Sequence, residues 1–265
     1  MTILVTGATG NTGRHVVAGL LRRGRSVRAL TRDPSKASVP AGAEVVGGDH
    51  NDPSTVSFDG VTGLHITVTK GVAESGPVLV KRAVAAGVER ITILWGGYVG
   101  PAELAVADSG VTWTRLEPQE FMSNALDWRE DIAADGVVRG PFPTVLSAVA
   151  HEGDIGAVAA AALVEDGHHE AAYTISGPEP LTLPERIAIL AKALGRDLPY
   201  AETTREQAKA KLLGQGVSEA DAEYVVGWHE APPVEAYTPV DTIARVLGRP
   251  PRTFADWAAE NARRF

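Results

Sequence analysis

Cysteine is missing from the chain altogether. That excludes thiol nucleophiles, disulfides, thiolate-bound zinc and iron–sulfur clusters. Long apolar runs are missing too, and none comes near the roughly 18 residues that a membrane-spanning helix needs. Met1-Thr2 leads straight into a short apolar run with no basic region before it, so no signal peptide is expected and the cytoplasm is the default location. Positive charge is scarce: 25 Lys and Arg against 33 Asp and Glu give a net charge of −8. This balance counts against a nucleic-acid backbone or an anionic membrane as the main partner. There is no Gly-x-Ser-x-Gly elbow and no His-Glu-x-x-His, so a serine hydrolase or zinc protease has no support. What is present is 265 residues, 44% of them hydrophobic, enough for one α/β domain with a smaller lobe and a core that requires no metal staple.

The first thirty residues are the most informative. Ile3-Leu4-Val5-Thr6 reads as a strand buried on both faces, and Val16, Val17, Leu20 and Leu21 recur at helical spacing up to Gly24. Ser26–Thr31 is a second strand, which completes a βαβ unit. The alternation predicts further strands at Ala43–Gly47, Gly63–Thr69, Arg90–Trp95, Val111–Leu116 and Ala172–Ser176. Helices are predicted at Val78–Ala86, at Phe121–Ala134, and at Ile155–Glu165 with Asp154 as its cap. Others are predicted after the Thr182-x-x-Glu185 capping box and over Ser218–Trp228 and Thr253–Arg264. The fold expected is a doubly wound parallel Rossmann-like sheet with a small, mainly helical C-terminal substrate lobe. Residues 1–135 form the NAD(P)-binding domain, and 136–265 a mixed region that returns to the sheet at about 151–176 before forming the lobe. The substrate pocket is expected between the two.

Between the first strand and helix lies Gly7-Ala8-Thr9-Gly10-Asn11-Thr12-Gly13. In that context one glycine permits the tight turn, another lets the backbone approach a pyrophosphate, and the last lets helix and strand pack closely. The helix N-terminus then offers N–H groups and partial positive charge to the anion. Gly7, Thr9, Gly10, Asn11, Thr12 and Gly13 are therefore candidate cofactor-binding residues. Arg32 lies just past the second strand, where an Arg accommodates the 2′-phosphate of NADP and an acid the 2′-hydroxyl of NAD. Thr31 and Arg32 favour NADP(H), while Asp33 leaves room for NAD(H). Asp49 and His50, after the third strand, are placed beside the adenine.

With these residues in view, the sequence resembles the NmrA-like branch of the atypical short-chain dehydrogenases/reductases. LVTGATGNTG, LTRDP and GGDHND carry the likeness at the start. SGVTWTRLEPQEFMSNALDW, EGDIGAVAAAAL and YTISGPEPLT extend it to about Arg196. The resemblance implies a dinucleotide-binding fold. It further implies either an NADPH-dependent reductase of quinones and other small unsaturated or carbonyl compounds, or a dinucleotide-sensing regulator without turnover.

In such a sheet, chemistry sits at the tails of the strands. These supply Thr67, Thr69 and Lys70 after the fourth, Trp95, Gly96, Gly97 and Tyr98 after the fifth, and Glu117, Pro118, Gln119, Glu120 and Phe121 after the sixth. The usual Tyr-x-x-x-Lys device is absent: Tyr98, Tyr173 and Tyr237 are followed at that offset by Ala102, Gly177 and Asp241. A third possibility, an epimerase or dehydratase holding NAD, is disfavoured by that absence. Tyr98 is the candidate catalytic proton donor. Phe121, Asn124 and Trp128 fall at i, i+3 and i+7, so one helical face either lines a substrate pocket or packs on the sheet. Trp228 and His229 read either as a lid over the substrate or as a surface His beside a core Trp. His168-His169 reads as a solvated turn, and no metal site is expected. The leading expectation is an NADP(H)-dependent oxidoreductase of a small, largely apolar quinone, enone or ketone, acting as a monomer or homodimer.

Overall fold

The structure, a computed structural model, describes residues 1–265, the side chain of Lys70 excepted. The opening apolar run forms β1 (Thr2–Val5), and its Ile3, Leu4 and Val5 are fully buried because the strand has neighbours on both edges and helices on both faces. Its sheet also holds β2 (Ser26–Thr31), β3 (Glu44–Gly47), β4 (Val61–Thr67), β5 (Arg90–Leu94), β6 (Thr112–Pro118) and β7 (Ala171–Ile175). All pairings are parallel and the order is β3-β2-β1-β4-β5-β6-β7. The order reverses between β1 and β4, so the tails of these two strands flank the switch point.

The chain packs as two compact units. The first comprises Met1–Pro118, Glu152–Ile175 and Thr242–Arg249. It contains the sheet together with α1 (Gly13–Arg22), α2 (Lys70–Ala85), α3 (Pro101–Ala107) and α4 (Glu152–Val164). Leu64 and Ile66 of β4 and Ile91 and Ile93 of β5 share one apolar cluster with Leu79 and Ala83 of α2 and Ala102 and Val106 of α3. Strand alternation sends His65 and Thr92 to the opposite face. Twelve of the 13 residues of α4 are buried, which explains its run of Ala and Gly. A Cβ on Gly19 of α1 would lie 2.9 Å from the Ala160 Cβ, and one on Gly156 of α4 would lie 2.6 Å from the His15 backbone. The two helices touch where side chains are smallest.

Several local expectations are corrected. α2 begins at Lys70 rather than Val78, because Gly71, Gly76 and Pro77 do not break it. A Cβ on Gly76 would meet the Ala102 Cβ at 2.4 Å, so this glycine serves the close approach of α3. β4 runs over Val61–Thr67, two residues earlier than its apolar pattern suggested. Asp154 lies inside the first turn of α4 rather than at its cap, with its carboxylate 2.6 Å from Arg249 Nη2. His168 is buried rather than solvated: its Nδ1 is 2.8 Å from the Tyr173 hydroxyl, and its carbonyl accepts from Thr114 Oγ1.

The second unit comprises Gln119–His151, Ser176–Asp241 and Pro250–Phe265. Trp128, Ile187, Leu190, Phe254 and Trp257 form its apolar core, with the last two rings stacked at 5.5 Å. Thr182 and Glu185 form the expected capping box of the helix Leu183–Leu194, which Gly195 ends in the left-handed conformation. Ser218 caps Glu219–Glu230 and Thr253 caps Phe254–Asn261. The helix expected over Phe121–Ala134 is a 3₁₀ segment, Met122–Asp127, followed by a short helix, Trp128–Ala134. Backbone pairing diverts its start, since Met122 N–H donates to the Ala150 carbonyl and Ala150 N–H to that of Glu120. The helix Arg205–Gly214 went unforeseen because none of its residues is buried, leaving no apolar period to read. Among the described residues, no helix is long and apolar enough to cross a membrane.

His65 yields a test of the core. It is completely buried, its Nδ1 is 2.8 Å from Thr92 Oγ1, and its Nε2 has no partner. Burial lowers its pKa from 6.5 to about 3. The folded chain keeps this imidazole neutral while the unfolded chain protonates it below pH 6.5. Its contribution is therefore complete above that pH and is lost as pH falls toward 3. Between pH 7 and 5, wild type should lose about 2 kcal/mol more stability than His65→Gln in urea titrations. Equal losses would show that His65 does not carry this dependence.

Candidate dinucleotide-binding site

The turn between β1 and α1 is built by backbone alone. Gly7 has φ +60°, in the region that favours glycine, and its carbonyl accepts from Gly10 N–H at 2.9 Å. A Cβ on Gly13 would lie 2.1 Å from the Gly7 oxygen, so only hydrogen fits there. Thr9, Gly10 and Asn11 are exposed at the tip, whereas Thr12 is buried. Thr12 makes no side-chain cap to α1, and the first turn carries no acidic residue. A helix start with an open approach and no competing carboxylate fits a pyrophosphate.

At the next strands outward, Thr31 pairs with Gly47 and the Gly48 N–H donates to the Thr31 carbonyl at 3.0 Å. The tails of β2 and β3 are thereby joined, with Arg32 exposed on one and His50 half-buried on the other. Asp33 caps the 3₁₀ turn Pro34–Lys36: Oδ1 accepts from Ser35 N–H and Oγ, and Oδ2 lies 3.1 Å from Lys36 Nζ. The Ser35 hydroxyl, then Lys36, hold this carboxyl below its ordinary pKa. Asp49 Oδ1 accepts from Asn51 N–H within its own turn.

On the other side of the switch point, Thr67 is tied to the tail of β1, its N–H donating to Thr6 Oγ1 at 2.9 Å. Thr69 is exposed at the start of α2 and its side chain does not cap that helix. The side chain of Lys70 lies outside the described residues. After β5, Tyr98 is 60% exposed on a loop whose ends are fixed by one acid. The buried Glu103 accepts from Gly96 N–H at 3.2 Å and from Gly100 N–H at 3.1 Å. The signal was available as Gly100-Pro101-x-Glu103, a helix start with an acid at the third position.

The substrate candidates of the second unit scatter. Phe121 is partly buried and bridges to Ala150, Asn124 is exposed, and Trp128 is buried with its ring 6.3 Å from that of Phe254. The 3₁₀ segment removes the single α-helical face that would have aligned them. His229 Nδ1 is 2.8 Å from the Val225 carbonyl, and its ring lies edge-on to Trp228 at 5.1 Å. The strand-tail candidate Glu120 centres a charged cluster whose other members, Ser147 and Arg186, had no sequence signal. Glu120 accepts from Ser147 Oγ at 2.5 Å and from Arg186 Nη1 at 2.9 Å, and all three side chains are buried. Burial alone would raise the Glu120 pKa, but Arg186, then His229 and the Ser147 hydrogen bond, outweigh it and hold the carboxyl below its usual value. Among the described residues, no group of three His, Asp or Glu is placed to hold a metal ion.

Residues 1–103 match the profile of the NmrA-like family. The chain is 34% identical to a (4-alkanoyl-5-oxo-2,5-dihydrofuran-3-yl)methyl phosphate reductase of Streptomyces griseus, over 99% of both chains. It belongs to the NmrA-like family. Another relative in this relationship is an NAD(P)H azoreductase of Xenophilus azovorans, 32% identical over 99% of both chains. The crystal structure of an NADPH-dependent quinone oxidoreductase from Escherichia coli, complexed with NADPH, superposes with a TM-score of 0.80. That match has 26% identity and covers 97% of this chain and 99% of the other. The chain is thus an atypical short-chain reductase with a Rossmann-like sheet, bearing no Tyr-x-x-x-Lys at Tyr98, Tyr173 or Tyr237.

Gly13→Ala tests the cradle. The methyl group cannot be placed without opening the turn, so dinucleotide affinity should fall at least about tenfold in fluorescence titrations. Gly214→Ala, where a Cβ meets nothing within 4 Å, should leave affinity unchanged. Equal behaviour of the two variants would contradict this geometry.

Proposed function

We propose that this protein is an NADPH-dependent reductase that transfers a hydride to a small, largely apolar quinone, enone or ketone. The observation that carries the cofactor half of this reading is the arrangement at the β2 tail. Arg32 stands exposed there, while the neighbouring acid that would suit NAD, Asp33, has both carboxylate oxygens engaged by Ser35 and Lys36. The redox half is supported by relatives named as reductases of a furanone phosphate, of azo compounds and of quinones.

In this reading Gly7, Thr9, Gly10, Asn11, Thr12 and Gly13 hold the pyrophosphate against the start of α1. Arg32 holds the 2′-phosphate, and Asp49 and His50 border the adenosine. Thr67 and Thr69 stand at the switch point, toward the nicotinamide half. Bound NADPH supplies the hydride from C4 of its nicotinamide. An acceptor whose charge is delocalised over a conjugated system needs less acid catalysis than a simple ketone, which suits a site without a Tyr–Lys pair. Tyr98, on the loop that Glu103 holds, is the proton source in this scheme.

Stopped-flow oxidation of NADPH against a panel of quinones, enones and ketones should show turnover. Inertness across the panel, with tight and redox-sensitive dinucleotide binding, would instead make the protein a sensor. Arg32→Glu should weaken NADPH by about 10²-fold more than NADH, reflecting lost attraction and added repulsion at the phosphate. Equal loss for both cofactors would remove Arg32 as the discriminator. Tyr98→Phe should lower kcat about 10²-fold with NADPH affinity retained; an unchanged rate would return Tyr98 to a structural role.

A further inference from the structure

The tail of β3 brings a second basic group to the place where Arg32 stands. His50 follows Gly48, and the Gly48 N–H is bonded to the Thr31 carbonyl one residue before Arg32. The position of His50 is fixed from the other side as well, because Ser75 Oγ of α2 donates to its carbonyl at 2.9 Å. The nearby carboxylates also serve local structure: Asp33 caps its own 3₁₀ turn, and Asp49 Oδ1 accepts from Asn51 N–H. Two potential cations at adjoining strand ends form a setting for a dianion.

We propose that His50 is a second 2′-phosphate-binding group beside Arg32, taking up a proton from solvent as NADPH binds and not as NADH binds. The proposal rests on the NADP(H) reading of the site. The step is a proton transfer without oxidation or reduction: the imidazole nitrogen gains an N–H bond as a buffer acid or hydronium loses its proton, and the phosphate gains a charge-assisted hydrogen bond.

The electrostatics agree with this role. Burial lowers the pKa of His50; Asp49 opposes that effect and the Arg32 guanidinium adds to it, so the imidazole rests in its neutral form near neutral pH. Among the described residues these are the charges acting on it, and the α2 contact, Ser75, is uncharged. A phosphate between the two basic groups would offset the repulsion from Arg32 and draw the proton in. His50 thereby makes cofactor preference depend on pH, whereas a second Arg would give a fixed preference.

Calorimetric titrations of the whole protein in buffers of different ionisation enthalpy, at pH 7.5, count the protons exchanged. Wild type should take up about half a proton more with NADPH than with NADH. His50→Gln should abolish that excess and lower NADPH affinity about tenfold more than NADH affinity. Any ionisation of the phosphate itself is common to both proteins and cancels in the comparison. Identical proton uptake for the two cofactors in wild type would overturn the proposal without any variant, and so would equal loss of both cofactors in His50→Gln, which would mark an adenine contact. These outcomes stand apart from failure of the cofactor reading itself, which would appear as wild type binding NADH as tightly as NADPH, or as Arg32→Glu leaving the preference intact.

Discussion

The hydrogen of Gly13 against the carbonyl of Gly7 is the contact on which the rest of the first unit depends. α1 can start where it does only because no side chain stands between it and the turn that precedes it. The same helix meets α4 at Gly19 and Gly156, again through positions without a Cβ. Fixed at both contacts, α1 has little freedom to rotate or slide, and its positive end is held at the tail of β1 beside the switch point. A larger residue at any of these three positions would shift the helix, and the cradle would move with it.

Acidic residues outnumber basic ones, yet they do not compete for the dinucleotide site, because many are used to shape the loops around it. Asp33 caps the turn after β2, Asp52 caps the turn that follows β3, and Glu103 draws together the two ends of the loop after β5. Each carboxylate satisfies backbone N–H groups of a loop that follows a strand. Negative charge thus holds the loops at these strand tails, while Arg32 stands exposed at the β2 tail. A net charge of −8 is therefore compatible with binding a polyanionic cofactor.

The sheet and the glycine turn were legible because their signals are local. A buried parallel strand is a short apolar run, and a pyrophosphate turn needs glycine at fixed offsets; both can be read within thirty residues. The capping box at Thr182 was legible for the same reason. What could not be read depends on contacts between distant segments. Gly76 looks like a breaker until Ala102 is seen against it. Phe121 begins a helical pattern that pairing with Ala150 interrupts. Glu120, Ser147 and Arg186 are spread over 66 residues and share no spacing, although they meet as one buried group. His168 reads as polar and therefore solvated, yet Tyr173 supplies its partner from the neighbouring strand.

The first unit is assembled from three stretches of chain, and this bears on how it is made. β6 ends at Pro118, but its outer neighbour β7 and the helix α4 arrive only with residues 152–175, after the first segment of the second unit has been synthesised. Until then β6 is an open edge, and the glycine face of α1 has nothing to pack on. A nascent chain emerging at about 5–20 residues per second spends several seconds in that state. The contacts that close the unit are also non-local, which slows their formation. A fragment cut after Pro118 would carry every glycine of the cradle and Arg32 as well, yet would remain an exposed parallel edge prone to self-association. The glycine turn is written in the first fifteen residues, but the unit that holds it is complete only after more than half of the chain has been made.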